Sequence, residues 1–429
     1  MNSRKTVVTL FVLLWALPSG GFAVGNYIVK KKVVEGHPTY HLVDVKRKMD
    51  LGVVPDIGNL VYKFKINDKD VLVPADSFKA YLEAKALGRG IPFMGPFANR
   101  IDREFYYFQG KKYLLNESLG NFLRARQSNY PIHGLLAFDR RWEIVKAGSS
   151  DATGAFITSR LEFYKYPDLM AQFPFAHVWQ ITYRLKEGKL ECTTEVTNEG
   201  RSAMPVHFGY HPYFRPDGPR ETWTLAIPAD AHWIVTDALV PTGKTEPTEK
   251  YVPGATKGLI LGKTFIDGGF SVIHRDAKGL GHFWAKGKMQ KIEVVFGKGY
   301  DYAIVYAPLD NTMVCIEPQT GPTNAFNLEH EGKFKDLTVL ESGKRYQATY
   351  WIVPTGFQKD GSKNLAERVT KEPAPPGHRL GQNEKAAKEI REFESLQEDQ
   401  DESVPGVRAQ EARPSAIEGA SDLKSPALR

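Results

Sequence analysis

The stretch His177–Gly200, HVWQITYRLKEGKLECTTEVTNEG, alternates apolar and polar residues on both sides of Glu187-Gly188. Such a period-2 pattern is typical of strands that bury one face, and a short glycine-containing break between two of them is typical of a tight turn. The stretch therefore predicts a β-hairpin.

Similar short runs of β-branched and aromatic residues recur from Tyr27 to Gly356, separated by Gly, Asn, Asp and Pro. Phe105–Leu115 predicts a second hairpin, and amphipathic helical patterns are scarce before residue 360. Many strands with few helices predict an all-β sandwich or barrel. Further strands are predicted at TWTLAIP, HWIVTD, KIEVVFG, YAIVYAP, MVCIEP and RYQATYWIVP.

The chain has 429 residues, of which 42% are hydrophobic, so it can form a large core. Its formal charge of +7 is spread among many acids and accompanies no nucleic-acid-binding motif. We therefore expect no nucleic-acid partner. The oligomeric state is left open.

The N-terminus has basic residues, an apolar run at Val7–Leu17 and small residues at Gly21 and Ala23. This order predicts a secretory signal peptide over residues 1–23. The alternative, a membrane anchor, is disfavoured because the run is much shorter than the roughly 20 residues of a spanning helix. We expect a secreted or periplasmic protein without stable membrane insertion after cleavage.

Composition divides the remaining chain into a domain at 26–356 and a charged, Pro- and Ser-rich tail at 357–429, which we expect to be disordered. Two cysteines, Cys192 and Cys315, lie in strand-like contexts. An exported protein permits a disulfide, but pairing needs a specific geometry, so two buried free thiols are the favoured interpretation.

The segment Met204–Pro216, MPVHFGYHPYFRP, carries His207 and His211, two imidazoles suited to proton transfer near neutral pH. Their spacing on a helix would suggest paired metal ligands, but Gly209 and Pro212 argue against a helix. We predict no metal site.

Other candidate residues lie elsewhere in the chain. Arg100, with Asn99 beside it, could grip substrate oxygens or cap a turn. His133 could be catalytic or structural. Glu317 could be a base raised toward neutral pH by burial or a solvated acid, and Asp267, before a glycine, most simply begins a turn.

Five ordered motifs make the chain resemble the aldose 1-epimerase (galactose mutarotase) family over residues 26–356. They are FMGPFANRID, IHG with Trp142, HFGYHPYF, VTDALVPTG and CIEPQTGPTNAFN. The resemblance implies a large antiparallel β-sandwich of the galactose mutarotase-like (supersandwich) type. Leu135 and Pro96-Phe97 depart from the central pattern and look like the broader epimerase-like branch.

The resemblance also implies roles and chemistry. Glu317 matches the catalytic base and His211 the catalytic acid, while Arg100, His133 and Asp267 match substrate-binding residues. The expected activity is cofactor-independent interconversion of the α and β anomers of a free hexose.

Two other classes stay open. One is a carbohydrate-binding protein without turnover. The other is a polysaccharide hydrolase or lyase that uses Asp267 and Glu317 as paired carboxylates.

Overall fold

The computed structural model describes residues 25–309 and 313–359. The expected signal peptide at 1–23 and the expected tail beyond residue 359 lie outside the described residues. Phe357 is buried, and the Asn67 side chain donates a hydrogen bond to its carbonyl oxygen (2.7 Å). In the described part of the chain, no helix is long and apolar enough to cross a membrane.

The structure is built mainly of strands. Those of the first half are β1 Tyr27–Val34, β2 His37–Asp44, β3 Met49–Val54, β4 Leu60–Ile66, β5 Lys69–Asp70, β6 Phe93–Met94, β7 Phe105–Phe108, β8 Lys111–Leu114, β9 Leu123–Arg124, β10 Pro131–Ile132, β11 Glu143–Ser150, β12 Gly154–Glu162, β13 His177–Lys186 and β14 Lys189–Asn198.

Those of the second half are β15 Met204–Val206, β16 Gly209–Tyr210, β17 Tyr213–Phe214, β18 Thr224–Ala226, β19 Ala229–Val235, β20 Pro241–Pro247, β21 Leu259–Ile260, β22 Ile266–Ile273, β23 Gly281–Lys286, β24 Lys291–Phe296, β25 Tyr302–Ala307, β26 Val314–Gln319, β27 Thr338–Leu340 and β28 Arg345–Thr355.

Helices are short. The α-helices are α1 Phe78–Ala84, α2 Pro167–Gln172, α3 Thr248–Tyr251 and α4 Ala325–His330, and the 3-10 turns are Glu117–Leu119, Phe163–Lys165 and Arg220–Thr222.

The predicted hairpin at His177–Gly200 is formed by β13 and β14, which pair antiparallel over their whole length. Buried and partly exposed residues alternate along both strands, as the apolar pattern requires. Glu187 and Gly188 both have positive φ, 52° and 81°, which suits the tight turn of a twisted hairpin. The second predicted hairpin is formed by β7 and β8.

Within residues 25–309 and 313–359, the strands form three larger sheets and three two-stranded pairs. The nine-stranded sheet has the order β11-β12-β13-β14-β28-β24-β23-β18-β21. The eight-stranded sheet has the order β20-β19-β22-β25-β26-β16-β6, with β17 also pairing with β26, and β1–β5 form the third. The all-β prediction is confirmed.

The main core lies between the two largest sheets. Tyr210 of β16 packs against Tyr350 of β28, with ring centroids 5.0 Å apart, and Phe93 of β6 packs edge-on against Trp179 of β13 at 5.2 Å. Both cysteines are buried and free, in agreement with the favoured prediction.

Strand β26 shows how this packing orients the functional residues. Val314 and Ile316 enter the main core, whereas alternate residues Cys315 and Glu317 point to the opposite face of the sheet. That outer face carries the candidate site.

Candidate active site

Three neighbouring strands carry a row of candidate residues. Asp267 of β22 pairs with Tyr306 of β25. Ile304, which also lies in β25, pairs with Glu317 of β26. Because Ile304 and Tyr306 are two residues apart, all four side chains project from one face. Register therefore brings two carboxyl groups from distant parts of the sequence to one surface.

His211 reaches the same row from the other edge of β26. Strands β16 and β17 pair with β26 on either side of His211, in one register, so His211 lies opposite Glu317. Its backbone N–H donates to the carbonyl of Pro92 (3.0 Å), and its ring stacks on Tyr213 with centroids 4.5 Å apart and planes 6° apart. These contacts hold the imidazole in one orientation.

Asn99, Arg100 and His133 come from two loops that cross above this row. The His133 N–H donates to the Asn99 carbonyl (2.9 Å), and Arg100 forms an isolated bridge with Ile132. Asn99 and His133 both have positive φ, 54° and 63°. Such backbone strain often occurs at functional sites.

Gly134 makes this crossing feasible. It has a φ of 73°, and a Cβ at this position would lie 2.3 Å from the carbonyl oxygen of Gly95. Only glycine fits so close an approach of two backbones. The glycine after His133 is therefore required by the loop crossing that positions the histidine.

All six candidate residues line one open cleft of about 590 Å³: Asn99, Arg100, His133, His211, Asp267 and Glu317. This volume lies within the roughly 300–1,000 Å³ usual for small-molecule sites.

The shortest contact between candidate acid and base joins His211 Nε2 and Glu317 Oε1 at 3.2 Å. Gln319 Nε2 donates to the other carboxyl oxygen of Glu317 (3.3 Å), and the Tyr213 hydroxyl lies 3.3 Å from His211 Nε2. A proton can pass between the two groups directly or through a ligand that contacts both.

Burial drives both groups of this pair toward their neutral forms. Glu317 is 1% exposed, and burial, with a smaller contribution from Asp267, raises its pKa well above the ordinary value against the opposing effects of Gln319 and Arg100. Burial, with a smaller contribution from the charge of Arg100, lowers the pKa of His211 to about 3. Both shifts favour an uncharged pair that carries a single titratable proton.

Arg100 supplies the positive charge of the cleft. Its Nη1 donates to Asn99 Oδ1 (2.9 Å), and burial lowers its pKa while Asp267 and Glu317 oppose that shift. Asn99 thus orients the guanidinium, which faces two carboxyl groups and can donate to oxygens of a ligand.

His133 is held neutral beside this cation. Burial, His211 and Arg100 lower its pKa well below the ordinary value. Its Nδ1 lies 3.0 Å from the sulfur of Met94, and its ring meets that of His211 edge-on with centroids 5.2 Å apart. A neutral imidazole here can donate to or accept from a hydroxyl group.

Asp267 does not begin a turn, so that simplest interpretation of the Asp-Gly pair is wrong. It lies in the paired part of β22, and burial raises its pKa while Arg100 opposes the shift. Gly268 is explained by packing: a Cβ there would lie 3.0 Å from both the His232 and Tyr251 rings. The glycine accommodates neighbouring side chains rather than a turn.

His207 lies away from the cleft. It is 1% exposed, and its Nε2 faces the carbonyl of Gly321 at 3.2 Å. The segment forms short strands rather than a helix, so His207 and His211 do not have the helical spacing of paired metal ligands.

Among the described residues, one group combines side chains that can bind metals. Atoms of His211, Cys315 and Glu317 all lie within 4.8 Å of one another. Burial, with Glu317 and Asp267, raises the pKa of Cys315 well above its ordinary value, so this sulfur is a protonated thiol.

Sequence reasoning did not single out Gln319 and Tyr213 as site residues. Gln319 lies two residues after Glu317 and Tyr213 two residues after His211, so each shares a strand face with a candidate catalytic residue. Adding the i±2 neighbours of each candidate would have found both.

A family model described as aldose 1-epimerase matches residues 51–353 of the chain. Among solved structures, a galactose mutarotase-like protein from Clostridium acetobutylicum gives a TM-score of 0.68 at 20% identity, covering 77% of this chain and 99% of that one. A galactose 1-epimerase from Lactobacillus acidophilus NCFM gives 0.61 at 14% identity, with coverage of 77% and 99%. A GalM/aldose epimerase homologue from C. elegans gives 0.57 at 18%, with coverage of 73% and 97%. At these identities the structural likeness is one of fold.

Proposed function

The chain belongs to the aldose 1-epimerase family, and on that premise we propose that it interconverts the α and β anomers of a free hexose. Glu317 acts as the base and His211 as the acid. Arg100, Asn99 and His133 hold the sugar oxygens.

The observation that carries this proposal is the 3.2 Å contact between His211 Nε2 and Glu317 Oε1 at the floor of the cleft. Ring opening moves protons at the C1 hydroxyl and the ring oxygen, two atoms bonded to the same carbon. An acid and a base that touch can reach both atoms at once. Paired carboxylates around a glycosidic bond instead stand about 5 to 9.5 Å apart.

The reaction begins when the proton held by the pair passes from Glu317 to His211 across their 3.2 Å contact. The Glu317 carboxylate then takes the proton of the C1 hydroxyl while the His211 imidazolium protonates the ring oxygen. The bond from C1 to the ring oxygen breaks, and C1 becomes an aldehyde carbon. Rotation about the C1–C2 bond exposes its other face, and reclosure returns both protons. Each group donates one proton and accepts one proton per turnover, so a pair that holds a single titratable proton can complete the cycle.

Arg100 and His133 contribute by hydrogen bonding. The Arg100 guanidinium favours oxygens that gain negative charge as the ring opens, and the cost of orienting it has already been met by Asn99. Asp267, across the cleft, can accept from sugar hydroxyls and so fix the position of the ring.

The N-terminal pattern leads us to propose, in addition, that the protein acts outside the cytoplasm. N-terminal sequencing of the protein purified from its natural host tests this. A mature chain that starts at Val24 is expected, and one that retains residues 1–23 would contradict export by cleavage.

Polarimetry tests the main proposal. Freshly dissolved α-D-glucose and α-D-galactose are followed with the wild type, His211→Ala, and His274→Ala as a matched control, because His274 is an exposed histidine paired with Asp230. Acceleration that is lost only in His211→Ala is the expected result. Sugar binding without acceleration in the wild type would instead indicate a carbohydrate-binding protein.

A further inference from the structure

A second cavity, of about 680 Å³, opens beside the cleft. Lys85, Leu123 and Arg124 line both cavities, so the two adjoin, and we call these three shared wall residues the ridge. We propose that the second cavity is a subsite for a further, uncharged sugar ring, so that the preferred substrate is the reducing end of an oligosaccharide. This inference rests on the proposed function.

The two cavities together offer more room than a single hexose fills. The cleft that contains His211 and Glu317 already has the volume of a typical small-molecule site. The second cavity has that volume again. A single hexose with C1 at the acid–base pair leaves the second cavity unused, whereas a substituent on that hexose can cross the ridge into it.

Arg124 of the ridge is held in place before any ligand arrives. Arg124 donates through Nε to Glu117 (2.7 Å) and through Nη1 to the Asn129 carbonyl (2.6 Å), and it pairs with Glu104 (2.5 Å). Its guanidinium also lies over the Phe122 ring, 5.4 Å from the centroid. A pre-ordered surface loses little conformational entropy when a ligand binds.

The walls of the second cavity match both surfaces of a pyranose. Phe122, Phe138 and Leu135 present apolar surface, which suits the C–H faces of a sugar ring. Asn121 and Asp168 present polar groups, and Asp168 is fixed by a two-pronged pair with Arg141 (2.7 and 3.0 Å). Such fixed planar groups suit hydroxyls at the ring edge.

Charge favours an uncharged ring over a phosphate. Arg124 and Arg141, two of the cations in the wall, are each bound by two carboxylates. The other two, Lys85 and Arg140, are exposed. A phosphate subsite would direct unpaired guanidinium groups at the ligand. In the second cavity, the two guanidinium groups that are held in place, those of Arg124 and Arg141, are already paired with carboxylates.

The test compares reducing disaccharides with glucose. Polarimetry gives kcat/KM for glucose, maltose and cellobiose, the last two being glucose extended by a second ring in α or β linkage. We expect the better disaccharide to exceed glucose by about tenfold, the gain from one or two added contacts of about 1 kcal/mol each. Equal values for all three sugars would overturn the subsite.

Leu82→Trp fills the second cavity from helix α1, because Leu82 lines it. Glu83→Trp is the matched control, since Glu83 is exposed on the same helix and does not line the cavity. Leu82→Trp should remove the disaccharide advantage and leave glucose turnover unchanged, and Glu83→Trp should change neither. An equal loss for glucose and disaccharide in Leu82→Trp would contradict the proposal.

Calorimetry separates this inference from the proposed function. Methyl β-cellobioside and methyl α-maltoside have no free anomeric hydroxyl and cannot be epimerised. Tighter binding of either than of the corresponding methyl glucoside, lost in Leu82→Trp, would support the subsite even if no sugar were turned over. No such difference would overturn the subsite even if glucose were an excellent substrate.

Discussion

Replacing Glu317 with Gln removes the proposed base while keeping its shape. In the wild type, Gln319 Nε2 lies 3.3 Å from a carboxyl oxygen of Glu317. The amide oxygen of the new side chain can still accept from this group, and the amide N–H can donate to the neutral His211 ring. The fold should therefore be retained. Loss of a general base lowers turnover by about 10²- to 10⁴-fold, which is roughly 3 to 5 kcal/mol of transition-state stabilisation.

Sugar affinity should change little in Glu317→Gln, within about one order of magnitude, because Arg100 and His133 still reach the sugar. The assay is polarimetric kcat and KM, with sugar affinity measured separately by calorimetry. Glu195→Gln, the same substitution on β14 outside the cleft, is the matched control. Turnover in Glu317→Gln near that of Glu195→Gln would refute the assignment of Glu317 as the base.

Glu317→Gln should also raise the free energy of unfolding at neutral pH. The pKa of Glu317 is raised in the folded state, so its favourable contribution is complete below the ordinary carboxyl pKa and is lost as the pH rises through the folded value. Glu317→Gln should be more stable than the wild type at pH 7, by about 1.4 kcal/mol for each pH unit, counted up to pH 7, by which the folded pKa of Glu317 exceeds the ordinary carboxyl value. The difference should vanish near pH 4, and urea unfolding at both pH values measures it.

A second proton would inactivate the acid–base pair, and it must bind the His211 imidazole, whose pKa is about 3. We therefore expect kcat/KM to stay level as the pH falls from 7 to about 5. A decline in kcat/KM centred at pH 6.5 would contradict this. Burial lowers the pKa of His207 to about 4, so the unfolded chain binds a proton at this imidazole more tightly than the folded chain does. The free energy of unfolding should therefore fall as the pH is lowered from 6.5 to 4. Urea unfolding of His207→Gln should show this pH dependence reduced by up to about 1.4 kcal/mol per pH unit. Gly134→Ala would place a Cβ 2.3 Å from a carbonyl oxygen, whereas at Gly120, where φ is 63°, nothing lies within 4 Å. Gly134→Ala should therefore lower the free energy of unfolding by well over the roughly 1 kcal/mol expected for Gly120→Ala. Equal denaturation midpoints for the two variants would show that the loop crossing relaxes.

Local patterns were sufficient to predict the fold class. The alternation in β13 and β14 records which residues face the core, so strands could be located without knowing their partners. The Asp267-Gly268 pair was misleading because a glycine can serve either a turn or a crowded neighbour. Its crowding arises from His232 and Tyr251, and no local pattern shows that contact.

The site was less accessible to sequence reasoning. Candidate residues at 99–100, 133, 211, 267 and 317 lie far apart in the chain, and their types alone were compatible with structural roles. Only the ordered family motifs grouped them. The pairing of β22, β25 and β26, which sets their spacing, depends on register between distant segments and could not be inferred from composition or periodicity.

The placement of His211 beside Glu317 also bears on how the protein gains activity while it folds. Strands β13 and β14 are joined by a two-residue turn and can pair early, whereas β16 and β17 must find β26 across about a hundred intervening residues. Closing so long a loop is slow compared with forming a hairpin. In a refolding experiment, the proposed mutarotation should therefore return after the β13–β14 hairpin has formed, and the acid–base pair serves as a natural reporter that the long-range pairing of β16 and β17 with β26 is complete.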